Sequence, residues 1–153
     1  MKILLTAINS KFIHSNLAVR YLKAFTEDMD YISKIREFSI NDRDEKVLEE
    51  IIKEKPDIVA FSTYIWNIEM VKRLSNLIKI VNSDIKILYG GPEVSYDSSN
   101  ILNELNGDYL IEGEGEKTYR EFVEYTLGER DIKSIRGLYY KEGNKVIGNG
   151  NRP

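Results

Sequence analysis

Cysteine is absent from the 153 residues, and histidine occurs once, at His14. The first absence excludes disulfides, thiolate metal sites, cysteine nucleophiles and any iron–sulfur cluster held by this chain. The second excludes a multi-histidine metal centre. It also leaves no catalytic triad, because His14 falls in a loop with no evident nucleophile partner. Long apolar runs are missing, so no segment reads as spanning a bilayer. Lys2 and the short run ILLTAI after Met1 lack the length and the small-residue cleavage site of a signal peptide. Neither charge dominates, since 22 basic and 25 acidic residues leave a net charge of −3. That balance gives no reason to expect nucleic acid or an anionic membrane as partner. The expectation that remains is one soluble cytoplasmic domain, and 153 residues, 42% of them hydrophobic, suffice for a real core.

Short apolar runs alternate with segments of helical period. Ile3 to Ile8, Asp57 to Ser62, Ile85 to Tyr89 and Asp108 to Ile111 read as strands, the first apolar almost throughout. Ile32 to Ile40 mixes polar and apolar residues and suits an edge strand. Between them lie faces of period 3.6. Leu17, Tyr21, Leu22 and Phe25 form one, and Val47, Leu48, Ile51 and Ile52 form another with Asp44 as N-cap. Ile68, Val71, Leu74, Ile78 and Val81 form a third, capped by Asn67. Shorter helices follow at Ile101 to Leu105 and Tyr119 to Val123. Five strands alternating with five helices predict an α/β flavodoxin-like (Rossmann-like) fold. Its doubly wound parallel five-stranded sheet has the order 2-1-3-4-5, with strands two and five at the edges. Residues 1–130 make this domain. Residues 131–153 read as a β-hairpin around Glu142-Gly143-Asn144 and a glycine-rich linker.

Polar and glycine residues gather where four predicted strands end. Asn9 and Ser10 follow the first strand, and Ser62, Thr63 and Tyr64 follow the third. Gly90, Gly91, Pro92 and Glu93 follow the fourth, and Gly113, Glu114, Gly115 and Glu116 follow the fifth. In an open parallel sheet these ends share one rim, where ligands bind. Several ligand classes drop out. GxxxxGK[ST] is missing, and no GxGxxG follows the first strand. Asn9 and Ser62 stand where a phosphoryl-accepting site would need acids. NSKFIHSN has no glycine, unlike a flavodoxin phosphate loop. Glu114 and Glu116 suit a helix start on dipole grounds alone.

KILLTAINSKFIHSNLAVRYL, FSTYIWN, YGGPEVSYD and DYLIEGEGEKTYREF together resemble the amino-terminal cobalamin (B12)-binding domain of B12-dependent radical SAM proteins. The similarity covers roughly residues 1 to 127, and GGPE followed by DYLIEGEGE is its most specific part. The opening segment is most similar to a subfamily often labelled anaerobic magnesium-protoporphyrin IX monomethyl ester oxidative cyclase. The resemblance implies a cofactor-carrying domain that is not catalytic alone. S-adenosylmethionine and a 4Fe-4S cluster would belong only to a downstream radical SAM domain of the same polypeptide, a methyltransferase or oxidative cyclase by type. It implies that Ser62 and Thr63 bond the base of the nucleotide tail, that Gly90 and Gly91 leave the tail room, and that Gly113 to Glu116 lie beside the cofactor. Tyr64 and Trp66 would pack either on the corrin or into the core beneath it.

Many such domains carry D-x-H-x-x-G after the first strand, with its histidine bound to cobalt. Here the sequence is Phe12-Ile13-His14-Ser15-Asn16-Leu17, without the aspartate and the glycine. Nothing then orients the imidazole as a metal-bound histidine requires. Base-off cobalamin without a histidine ligand is therefore the expected state, with His14 the sole candidate metal ligand. The rival reading is a flavodoxin-like interaction or nucleotide-sensing module without cobalamin.

Overall fold

A computed structural model describes residues 1–10 and 17–153. Among these residues seven strands form one sheet in the order β2-β1-β3-β4-β5-β6-β7. They are β1 (Lys2–Asn9), β2 (Ile32–Ser39), β3 (Ile58–Ser62), β4 (Lys86–Gly90), β5 (Tyr109–Ile111), β6 (Leu138–Glu142) and β7 (Lys145–Gly148). The first five pair in parallel, and the last two add antiparallel. Five helices connect them: α1 (Leu17–Phe25), α2 (Asp44–Lys53), α3 (Ile68–Val81), α4 (Ser98–Glu104) and α5 (Glu116–Thr126). None is long and apolar enough to cross a membrane.

The order of the first five strands is the expected 2-1-3-4-5. The expected edge position of the fifth is corrected, because the hairpin joins the sheet beside it. Tyr109, Leu110 and Ile111 of β5 pair with Tyr140, Tyr139 and Leu138 of β6. Leu110 and Ile111 are buried, and a three-residue strand with apolar faces needs that cover.

Alternation along the strands divides the core into two layers. Leu4, Ile8, Val59, Phe61, Ile87 and Tyr89 face α2, α3 and α4, which bring Val47, Ile51, Val71, Leu74, Ile78 and Leu102. Ile3, Leu5, Ala7, Ile58, Ala60 and Leu88 face α1 and α5, which bring Val19, Tyr119, Phe122 and Val123. The periodic faces of α2, α3 and α5 are therefore the packed ones, except that Val81 at the end of α3 is exposed. In α1 the expected face is not: Leu17, Tyr21 and Phe25 are exposed, Val19 is buried and Leu22 is half-buried. The helix meets the sheet through its first turns' Val19 and is pinned at its far end. There Arg120 of α5 donates to both Asp28 carboxylate oxygens at 2.7 Å and to the Phe25 carbonyl at 3.0 Å.

Neither expected cap acts as one. Asp44 is the first residue of α2 and binds Arg73 of α3 at 2.7 Å. Asn67 precedes α3, but its side chain turns inward, away from the helix's free amides.

Candidate functional site

The carboxyl ends of β1, β3, β4 and β5 share one edge, as their parallel pairing requires. At that edge a cleft of about 520 Å³ opens between α1 and the sheet. The volume lies within the range of about 300–1,000 Å³ that holds small ligands and cofactors. Its floor is Leu5, Ala60, Leu88 and Ile111, one from each of the four strands. Its roof is Ala18, Val19, Tyr21 and Leu22 of α1, and the turn Gly113 to Glu116 closes its far side. Ser62, Tyr64, Gly90, Gly91, Pro92 and Ser95 line its mouth. Ala60 keeps the floor low under the middle of the cleft. The walls are mostly apolar, with hydroxyls and turn amides at the rim.

The expected residues divide by position. Ser62, Tyr64, Gly90, Gly91, Pro92, Gly113, Glu114, Gly115 and Glu116 come together around this cleft. Thr63 does not line it. It is fully buried, and its hydroxyl donates to the Gly90 carbonyl at 2.6 Å while its amide donates to the same oxygen at 2.7 Å. It splices β3 to β4. Glu93 is half-buried in a short 3-10 turn away from the lining. Asn9 is buried at the end of β1, and Ser10 follows it half-buried. His14 lies outside the described residues.

The two glycines have different grounds. Gly91 has φ +107, and a Cβ there would come within 2.4 Å of the Thr63 carbonyl oxygen. This chain's own backbone demands glycine at 91. A Cβ at Gly90 would meet nothing within 4 Å. Gly90 is the one whose missing side chain leaves space at the cleft mouth.

Two features of the site escaped the sequence. Asn67 is completely buried and ties the rim together. Its Nδ2 donates to the carbonyls of Ile8 and Ser62 at 3.0 Å, and its Oδ1 accepts from the Tyr64 amide at 2.8 Å. Trp66 Nε1 donates to the same Ile8 carbonyl at 3.2 Å, and its ring stacks on Tyr64 with centroids 4.5 Å apart. The loop after β3 is thereby fixed to the end of β1. Ser95 is the second. Its hydroxyl donates to the Gly91 carbonyl at 2.8 Å and accepts from the Gly113 amide at 3.1 Å, which joins the loops after β4 and β5. Both stand in segments that carry the resemblance, FSTYIWN and YGGPEVSYD, but nothing in the sequence singles out their bonding role, and Asn67 reads there as a helix cap.

A second hollow of about 540 Å³ adjoins the first and shares Gly113, Glu114 and Glu116 with it. Phe25, Glu112, Lys117, Gly137 and Asn151 to Pro153 complete its wall. Arg152 fixes the tail there through Thr118 Oγ1 at 3.0 Å, the Arg136 carbonyl at 3.1 Å and the Glu121 carboxylate. Among the described residues no group of three or more His, Cys, Asp or Glu side chains could hold a metal ion.

An apolar cleft with a polar rim and open space at Gly90 suits a large ligand with an extended apolar part, and Asn9 Oδ1, a buried acceptor without a donor, stands outside the lining at the end of β1 on the same edge. Comparison with known proteins gives that ligand a name. The model of the B12 binding domain family matches residues 3–123. An uncharacterised methyltransferase of Pyrococcus horikoshii is 32% identical over 104 residues, which are 67% of this chain and 23% of that protein. The cobalamin-dependent radical SAM methyltransferase TokK of Streptomyces tokunonensis is 27% identical over 95 residues, covering 61% of this chain and 14% of the relative. The radical S-adenosylmethionine methyltransferase TsrM of Kitasatospora setae, solved with cobalamin and a [4Fe-4S] cluster, superposes with a TM-score of 0.81 at 18% identity. That superposition covers 99% of this chain and 29% of TsrM. The chain thus spans less than a third of the length of each of these proteins.

Proposed function

Because the chain belongs to the B12-binding domain family, we propose that the cleft under α1 takes the nucleotide tail of cobalamin and that the corrin lies across the rim above it. The domain then presents the cofactor to a radical SAM domain of the same polypeptide. The open space at Gly90, over the low floor at Ala60, carries this reading. Bound cobalamin would supply an organocobalt centre able to carry a methyl group to an unactivated carbon. This chain's own residues bind and orient it. Ala60 and Gly90 admit the base, and α1 covers it from water. Thr63 holds the end of β4 so that Ser62 can turn its hydroxyl to the cleft, and the amides that open α5 offer further donors. Asn9, Ser10, Tyr64, Gly91, Pro92, Glu93 and the Gly113 to Glu116 turn frame the rim. The cobalt carries no histidine from this chain, since His14 lacks the residues that would orient it.

Residues 1–130 hold the cofactor, and the hairpin and tail of 131–153 lead toward the partner domain. That domain supplies the S-adenosylmethionine site and the cluster cysteines, because this chain has no cysteine. Thiolate-held clusters favour the reducing cytoplasm. The near-neutral charge fits neither nucleic acid nor a membrane surface. Relatives named as methyltransferases make methylation the favoured reaction of the whole protein.

The test is a visible absorption titration with hydroxocobalamin followed by gel filtration. Colour that co-elutes with a base-off spectrum is the expected result. Gly90→Leu should elute colourless at an unchanged melting temperature. A wild-type chain that stays colourless at high micromolar cofactor overturns the reading and leaves an interaction module.

A further inference from the structure

Asn9 ends β1 on the side that carries Ile3, Leu5 and Ala7, the side roofed by α1. The residue is 6% exposed. Among the described residues its Oδ1 is the buried side-chain polar atom left without a hydrogen-bond partner. Folded chains keep few such atoms, because a buried acceptor without a donor has given up water for nothing. Its direction is also determined. Asn9 Nδ2 donates to Glu37 Oε1 at 3.3 Å, and Glu37 Oε2 accepts from Arg20 Nη2 at 2.9 Å. A carboxylate only accepts, so Glu37 holds the amide nitrogen toward itself and turns the amide oxygen the other way. Among the described residues Arg20 in turn offsets the Glu37 charge.

We propose that Asn9 Oδ1 accepts a hydrogen bond from a neutral N–H donor of the bound ligand, a peripheral carboxamide of the corrinoid, with Arg20 and Glu37 fixing the amide for it. The inference rests on the cobalamin reading above. It assigns Asn9 as a binding residue, and Glu37 and Arg20 as positioning residues that act through it. An orphan acceptor kept for a ligand has a signature that a structural residue lacks. Removing it relieves the empty domain and weakens the complex.

Asn9→Leu tests this through two readouts on the 153-residue chain. Without cofactor, and in a Glu37→Leu background that removes the Nδ2 bond beforehand, its melting temperature should equal or exceed that of Glu37→Leu alone. Its affinity for hydroxocobalamin, by equilibrium dialysis, should fall about tenfold. Glu37→Gln can donate as well as accept, so it frees the amide to turn and should weaken binding severalfold. Wild-type chain should also discriminate against one of the corrinoid monocarboxylic acids, in which a carboxamide is hydrolysed to a carboxylate, and Asn9→Leu should lose that discrimination. A lower cofactor-free melting temperature for Asn9→Leu in the Glu37→Leu background, where the Nδ2 bond is already gone, means that the oxygen already has a donor within the chain, and overturns the proposal whatever the affinity. Unchanged affinity overturns it alone and leaves the cobalamin reading standing. Wild-type chain that binds no cobalamin overturns both.

Discussion

A methyl group added at Gly91 would lie 2.4 Å from the Thr63 carbonyl oxygen, on a backbone whose φ of +107 already strains any other residue. One added at Gly90 would touch nothing within 4 Å. Gly91→Ala is therefore expected to destabilise the fold by about 1–3 kcal/mol before any repacking. Gly90→Ala should stay within about 0.5 kcal/mol of wild type. Urea unfolding of both variants checks the pair, and an equal loss would refute the division. Glu54 makes a different case at the same scale. Lys34, Arg36 and Lys2 all bond its carboxylate, and together they hold its pKa near 2, against an ordinary 4.5. A depressed folded-state value means that the contribution is present above about 4.5 and is lost as pH falls toward 2. Glu54→Gln should accordingly be less stable than wild type at neutral pH, and the gap should close on acidification through that range. A gap that persists at the acid end would show that the effect is not the carboxylate's charge.

At the scale of the element, α1 separates what sequence can tell from what it cannot. Leu17, Tyr21, Leu22 and Phe25 have the spacing of a packed face, yet three of them are exposed and Val19 is the buried contact. The period shows that a helix has an apolar side and says nothing of whether protein or ligand lies against it. Tyr21 and Phe25 line the two hollows at the carboxyl edge, so these two face a site, while Leu22 packs against the core. Tyr21→Ala is expected to change stability by less than about 0.5 kcal/mol, while Val19→Ala costs about 2 kcal/mol. Thermal melts of the two variants distinguish them, and a large loss for Tyr21→Ala would place that stripe in the core. By contrast, α2, α3 and α5 pack as their periods indicate, because each covers a sheet face with no ligand between. The rim was legible through its glycines and hydroxyls, which turn chemistry concentrates at strand ends. Asn67 and Ser95 were not, since their importance lies in contacts with Ile8, Ser62, Gly91 and Gly113. A sequence shows partners only where they fall near one another, and these close across loops that are distant in the chain.

Over the whole molecule, the sheet shields its weakest parallel strand by adding an antiparallel hairpin to it. β5 pairs with β4 through only Tyr109 and Leu110, and all three of its residues pair with β6. Ile135, Leu138 and Tyr140 are buried from the hairpin side. A chain ended after Arg130 should expose β5 as a bare apolar edge and associate. Gel filtration of that truncation against the intact chain tests this, and a well-folded monomer would show that the hairpin is dispensable. The hairpin was visible in sequence as a turn, but its place in the sheet depended on whether β5 kept a free edge. The rim carries one more consequence. Trp66 is the only tryptophan among the 153 residues, and it stacks on Tyr64, which lines the cleft. Every tryptophan photon this protein emits therefore originates beside the cleft. A coloured ligand seated there would take up that excitation by resonance transfer, so the unlabelled domain is its own optical gauge of occupancy.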